Sequence, residues 1–156
     1  FEGVVQVVKR LLDIVEPDLL FMGQKDYQQC MVVQCLIEAF GLPVKLVVCP
    51  TERETDGLAM SSRNMRLKPE ERVAAVKLSR ALFHIRDHYR AGNIDRLIAQ
   101  QTGELNADPL IRVEYIAVAD GHTLEPLTAP ATGSMVALIA AKVGDIRLID
   151  NIILQP

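Results

Sequence analysis

Two short runs rich in valine and leucine, "LLFMG" (19–23) and "PVKLVVCP" (43–50), flank the stretch "KDYQQCMVVQCLIEAFG", and this arrangement restricts the fold most. Each run fits a strand buried in a parallel sheet. The stretch between them reads as a helix. Asp26 stands at its start with Gln29 three positions on, a capping-box spacing, and Gly41 supplies the stop. Ahead of the first run, "FEGVVQVVKRLLDIVEPD" predicts another helix, with Val4, Val7, Val8, Leu11, Leu12 and Val15 at i, i+3, i+4 spacing and Pro17 closing it. Helix, strand, helix, strand at these separations indicates a βαβ crossover in a doubly wound sheet. The chain lacks an initiator Met and opens on a pattern that is already helical, so it is expected to be a piece of something longer.

From Lys68 the texture changes. "KPEERVAAVKLSRALFHIRDHYRAG" predicts a long amphipathic helix, with Pro69 in its first turn, Glu70 and Glu71 at its positive end and Gly92 as its stop. "NIDRLIAQQTGEL" predicts a second helix, "IRVEYIAVAD" a strand, and "DGHT" (120–123) a turn. "GSMVALIAAKVGDIRLIDNIILQ" reads as two strands joined at Val143-Gly144-Asp145. The fold class expected is therefore α/β: strands and helices of a Rossmann-like sheet, then a small α+β domain. The boundary is expected between Pro50 and Gly57, with residues 51–57 as a hinge.

Composition excludes several functions. A net charge of −3 supplies no bulk field for nucleic acid or anionic membrane, so any bound anion must be held by local groups. No apolar run reaches the roughly 18 residues of a membrane span, and no signal peptide is visible. Cys30, Cys35 and Cys49 are odd in number, lack CxxC spacing and sit in apolar segments, which suits buried reduced thiols of a cytoplasmic protein. His84 and His88 have the i, i+4 spacing of a zinc pair, but no glutamate is placed between them as in HExxH and Arg90 is close by, so surface histidines are expected. His122 is read as a turn residue.

Two segments remain. In "GQKDYQQ", Gly23 ends a strand and a helix begins at Asp26, so Lys25 lies at a helix N-terminus suited to a phosphate. Gln29 shares a helical stripe with Val33, Leu36 and Phe40, which points it inward, where a polar group needs a partner. The other use of the same spacing is capping by Asp26 and Gln29 with Lys25 solvated. In "TERETDGLAMSSRNMRL", Ser61 and Ser62 offer hydroxyls, Arg63 a planar fork for phosphate or carboxylate, and Gly57 a flexible approach. The alternative is a turn capped by its serines with Arg63 paired to Asp56 or Glu54. Arg53, Glu54 and Asp56 read as a salt-linked hinge, the alternative being contact with substrate. In doubly wound sheets ligands collect beyond the carboxyl ends of the strands, where both segments fall.

Together, "FMGQKDYQQ", "PTERETDGLAMSSRNMRL" and the "PEER" helix closely resemble the pantothenate synthetase (pantoate–β-alanine ligase) family, a branch of the nucleotidyltransferase superfamily, and the similarity covers the whole chain. The resemblance implies a pantoyl-adenylate formed from ATP and pantoate, then displacement of AMP by β-alanine. It implies ATP contacts at Gly23, Gln24, Lys25, Asp26, Glu52, Met60, Ser61, Ser62 and Arg63, and a pantoate contact at Gln29. It implies that Lys25, Ser61, Ser62 and Arg63 carry the catalysis. Mg²⁺ is implied on the phosphates with no direct protein ligand, and the full-length protein is implied to be a homodimer. Glu52 departs from the family, which usually has a valine there. The superfamily's HxGH motif is absent, so the chain is expected to be the C-terminal portion, holding half the active site and inactive alone. Two other readings stand beside this one: another adenylyltransferase of the superfamily, and a non-catalytic domain for nucleotide sensing or dimer contacts.

Overall fold

The computed structural model describes residues 2–90, 92–129 and 133–154. They fall into two compact units, Phe1–Thr51 and Glu52–Pro156.

The first unit is built from helix α1 (Glu2–Val15), strand β1 (Leu19–Gly23), a 3-10 turn (Gln24–Asp26), helix α2 (Tyr27–Ala39) and strand β2 (Lys45–Cys49). The strands pair in parallel from Leu19↔Lys45 to Gly23↔Cys49, which makes β1-α2-β2 the expected crossover. α2 ends in a Schellman motif. Leu42 N–H donates to Ile37 O, Gly41 N–H donates to Glu38 O, and Gly41 takes the left-handed φ of +57° that this geometry requires. Leu12, Val33, Leu36, Ile37 and Val44 form the core, with Val5, Val8, Leu20, Met22 and Leu46 against it.

Four sequence expectations are corrected here, for the strands, for α1, for α2 and for the cysteines. The strands are not buried on both faces: Leu20, Met22 and Leu46 turn into the core, while Leu19 and Phe21, on the other face of the pleat, are exposed. α1 buries the narrower stripe Val5, Val8, Leu12 and leaves Val7, Leu11 and Val15 exposed. α2 buries Cys30, Val33, Leu36 and Ile37, whereas Phe40, at the C-cap, is exposed and Gln29 is half-buried. Of the cysteines, Cys30 is buried, Cys49 half-buried and Cys35 exposed, so burial does not describe all three.

The second unit holds helices α3 (Pro69–His88) and α4 (Ile94–Asn106) and strands β3 (Ile111–Asp120), β4 (Met135–Val143) and β5 (Ile146–Leu154). The strands form an antiparallel sheet in the order β3-β4-β5. Gly144 and Asp145 make the two-residue turn between β4 and β5. Leu78, Leu82 and Ile85 of α3, Ile94 and Leu105 of α4, and Met135, Ala137, Ile139, Ala141 and Val143 of β4 form one cluster. α3 opens with Pro69 at its first position, and Glu71 reaches back to accept the Lys68 N–H at 2.9 Å. It ends at His88, before Gly92. Asn93 stops it, with Nδ2 donating to His88 O at 3.0 Å and Oδ1 accepting from Arg90 N at 2.7 Å.

Candidate functional site

Gly23, Gln24, Lys25 and Asp26 follow one another at the carboxyl end of β1. Gly23 is extended (φ −75°, ψ 130°), and a Cβ placed on it would meet nothing within 4 Å. Neither backbone conformation nor packing among the described residues requires glycine there. Lys25 is half-buried and Asp26 exposed. Asp26 occupies the N-cap position of α2 but makes no side-chain capping bond. Its φ of −94° and ψ of 53° lie outside the extended region that an N-cap residue adopts, because the 3-10 turn runs straight into the helix. The expected Asp26–Gln29 capping box is thus corrected. Behind the turn, the Cys30 thiol donates to Gly23 O at 3.5 Å. Burial, and then the Asp26 carboxylate, push its pKa up, so the sulfur adds no negative charge beneath the turn.

In the second unit, Glu52, Met60, Ser61, Ser62 and Arg63 lie on one loop. It begins with a narrow closure. Met60 N–H donates to Glu52 O, Glu54 N–H to Leu58 O, Gly57 N–H to Glu54 O, and Arg53 bridges Ala59. Gly57 takes φ +95° in this closure, against Ser79 and Phe83, so it serves a fixed turn rather than a flexible approach. The exposed Glu52 side chain leaves its carbonyl to hold Met60.

A short 3-10 helix (Ser62–Arg66) follows. Ser61 caps it, its Oγ accepting from Arg63 N at 3.3 Å, and Asn64 Nδ2 donates back to Ala59 O at 3.1 Å. Accepting uses one lone pair of Ser61, so its O–H still has a proton to donate. Ser62 is exposed. Arg63 is exposed too, and its Nη1 donates to Arg147 O at 3.1 Å.

The charges divide unequally. Arg63 pairs with neither Asp56 nor Glu54; among the described residues no carboxylate neutralises it, since Asp56 is taken by Arg72 at 2.8 Å. A neutral carbonyl leaves a guanidinium's charge uncompensated. Arg53 is the opposite case, held by Asp150 of β5 through 2.7 and 3.0 Å bonds. Asp150 escaped the sequence reading. Its signal was an acidic residue in the middle of the apolar strand "IRLIDNIIL".

The first unit therefore carries Gly23, Gln24, Lys25, Asp26 and Gln29 near one strand end, and the second carries Glu52 and Met60 to Arg63 on one pinned loop. Each group offers cationic nitrogen, the second adds hydroxyls, and both suit a polyanion. His84 and His88 stack ring on ring at 4.2 Å, with His88 Nδ1 2.9 Å from His84 O. His122 lies exposed in the turn after β3. Among the described residues no helix is long and apolar enough to cross a membrane.

Comparison with known proteins agrees along the whole chain. The family model described as pantoate-beta-alanine ligase matches residues 1–153. A pantothenate synthetase of Moorella thermoacetica is 41% identical, the match covering 99% of this chain and 55% of the relative. A bifunctional pantoate ligase/cytidylate kinase of Synechococcus elongatus is 46% identical, covering 99% and 30%. The crystal structure of the Thermus thermophilus pantothenate synthetase superposes with a TM-score of 0.89 at 38% identity, over 100% of this chain and 56% of that one. A Francisella tularensis pantoate-beta-alanine ligase complexed with beta-gamma ATP and beta-alanine superposes with a TM-score of 0.69 at 30% identity, over 99% and 50%. The chain spans about half the length of the pantothenate synthetase relatives it matches. It belongs to the pantoate-beta-alanine ligase family.

Proposed function

We propose that the complete protein containing this chain condenses pantoate with β-alanine at the expense of ATP, through a pantoyl-adenylate. A pantoate carboxylate oxygen attacks the α-phosphorus, the bond to the bridging oxygen breaks, and pyrophosphate leaves. The β-alanine amine then attacks the acyl carbon. The acyl–phosphate bond breaks, AMP departs, and the nitrogen loses a proton to give pantothenate.

Attack by an anion on a polyphosphate gathers negative charge, and positioned donors that meet this charge lower the barrier. In this reading Lys25 and Arg63 neutralise the phosphates, and the Ser61 and Ser62 hydroxyls orient them. Gly23, Gln24, Asp26, Glu52 and Met60 shape the nucleotide site, and Gln29 holds pantoate. The observation that carries the reading is Arg63, a cation with no carboxylate partner among the described residues, on an otherwise fixed loop in a member of this family. No protein nucleophile is required, because positioning supplies the rate.

Mg²⁺ fits this donor set only as an ion carried by the phosphates, since the protein groups offered are ammonium, guanidinium and hydroxyl. When bound there it would neutralise phosphate charge. Residues 1–50 are assigned to the nucleotide-binding domain and residues 58–156 to a lid that excludes water from the adenylate. The break after Thr51 and the bonds holding residues 53–59 support that partition, with the proposed hinge close to Thr51. Cytoplasmic location, expected from the cysteine pattern, and a homodimer, implied by the resemblance, belong to the same proposal. So does the expectation that residues 1–156 alone bind ATP weakly and form no product.

The test is ATP–pyrophosphate exchange by the complete protein with a panel of carboxylic acids. Exchange stimulated by pantoate, with AMP release on adding β-alanine, is expected. Exchange that ignores pantoate and responds to a phosphorylated acceptor would favour another adenylyltransferase. No exchange at all would favour a nucleotide-sensing or dimer-contact domain.

A further inference from the structure

Both terminal nitrogens of the Arg53 guanidinium donate to the protein. Nη1 donates to Asp150 Oδ2 at 2.7 Å and to Gly57 O at 3.0 Å, and Nη2 donates to Asp150 Oδ1 at 3.0 Å and to Asn151 O at 3.2 Å. The Phe83 ring of α3 lies 5.1 Å from its central carbon. The Asp150 side chain is 4% exposed, and its Oδ1 also accepts from Asn151 N. One nitrogen thus joins a strand carboxylate to a loop carbonyl. Because Glu52–Met60, Glu54–Leu58 and Arg53–Ala59 close the loop on itself, fixing Gly57 fixes the residue at which Met60 leaves it. The segment from Ser61 is tied back at its far end as well, by Arg63 to Arg147 O and by Asn64 to Ala59 O. The Ser61–Arg63 turn is held between two anchors on β5.

Burial of an ion pair is weak evidence for a contribution to stability, because apolar side chains of similar volume often serve as well. What a bidentate guanidinium–carboxylate pair adds is a fixed angle and distance. We propose that Arg53 and Asp150 form the strut that sets the Ser61–Arg63 turn in its phosphate-binding geometry. Arg53 is then a positioning residue, acting through the turn without touching the nucleotide. This rests on the reading that the turn grips ATP phosphates.

The experiment uses the complete protein and compares wild type with Asp150→Asn, Arg53→Lys and the apolar double variant Arg53→Met/Asp150→Leu. The double variant leaves no unpaired buried charge and guards against loss of folding in the single ones. Initial rates are measured against ATP and, separately, against β-alanine, with the folded fraction read by thermal melting. Misplacing a binding group by about 1 Å can cost on the order of 10²-fold. The expected result is a fall of that order in kcat/KM for ATP, carried largely by KM, in all three variants, while the β-alanine KM changes less than about twofold. Arg53→Lys should not rescue, because an ammonium cannot span both carboxylate oxygens and the Gly57 carbonyl. Two results overturn the strut: a lower kcat at unchanged ATP KM, in proportion to the folded fraction, or an ATP defect in Arg53→Lys that Asp150→Asn lacks, which would mean that Arg53 touches the nucleotide directly. A wild type without pantoate-dependent exchange overturns the strut and the underlying reading together. An active wild type whose double variant keeps its ATP KM overturns the strut alone.

Discussion

The carboxylate of Glu71 stands where a Cβ on Gly144 would have to be. Glu71 is held there because its other oxygen accepts the Lys68 N–H at the start of α3, and Gly144 is held by φ +57° and by its N–H bond to Leu110 O. A helix start and a hairpin turn therefore share one space. Gly144→Ala should impose left-handed strain of roughly 1–2 kcal/mol and displace a cap worth about 1 kcal/mol. The total expected loss is about 2–3 kcal/mol, read from the denaturant midpoint. Glu71→Ala alone should cost about 1 kcal/mol, and the double variant less than the sum, because the two residues compete for the same volume.

Gly23 gives the opposite case. Its φ is ordinary and the space beyond its Cα is open, so Gly23→Ala should leave the melting temperature of the complete protein within about 2 °C. If the backbone there lies close to nucleotide, the added methyl should raise the ATP KM about tenfold. An unchanged ATP KM would mean that the glycine is incidental.

Leu82 is fully buried on α3 among the residues that cover β4. Leu82→Ala should cost about 2–5 kcal/mol, the range for a large-to-small change in a packed core. The ATP KM of the remaining folded protein should not move, which separates loss of fold from loss of site.

Elements defined by local chemistry were legible in the sequence. β1 is written in five apolar residues ending in glycine, the Schellman end of α2 in Gly41, and the β4–β5 turn in Gly144-Asp145. Features set by neighbours in space were not. Capping by Asp26 failed because the 3-10 turn before it changes its backbone angles. A salt-linked cluster of Arg53, Glu54 and Asp56 was expected from adjacency, yet Arg53 pairs with Asp150, 97 positions along the chain, and Asp56 with Arg72. The two candidate segments could be read because their donors are unusual for loops. The strut behind one of them could not, because a strand residue's partner across the fold leaves no local pattern beyond its own misplaced charge.

Asp120 supplies a pH test. Its Oδ1 accepts the backbone N–H groups of Thr123 and His122, both at 2.8 Å, and these bonds, Thr123's first, hold its pKa below the usual carboxylate value. A depressed folded-state pKa means that the ionised form is favoured by folding. The stabilisation is therefore present above the unfolded pKa of about 3.9 and is lost as pH falls through the lower folded value. Asp120→Asn keeps an acceptor oxygen in place but removes the charge. Melting curves of wild type and variant should accordingly differ, with wild type the more stable, at pH 6 to 7. They should converge as pH falls through the lowered folded-state pKa, where wild type becomes neutral at this position as well. A difference that persists unchanged into acid would show that the carboxylate's shape, and not its charge, holds the turn after β3.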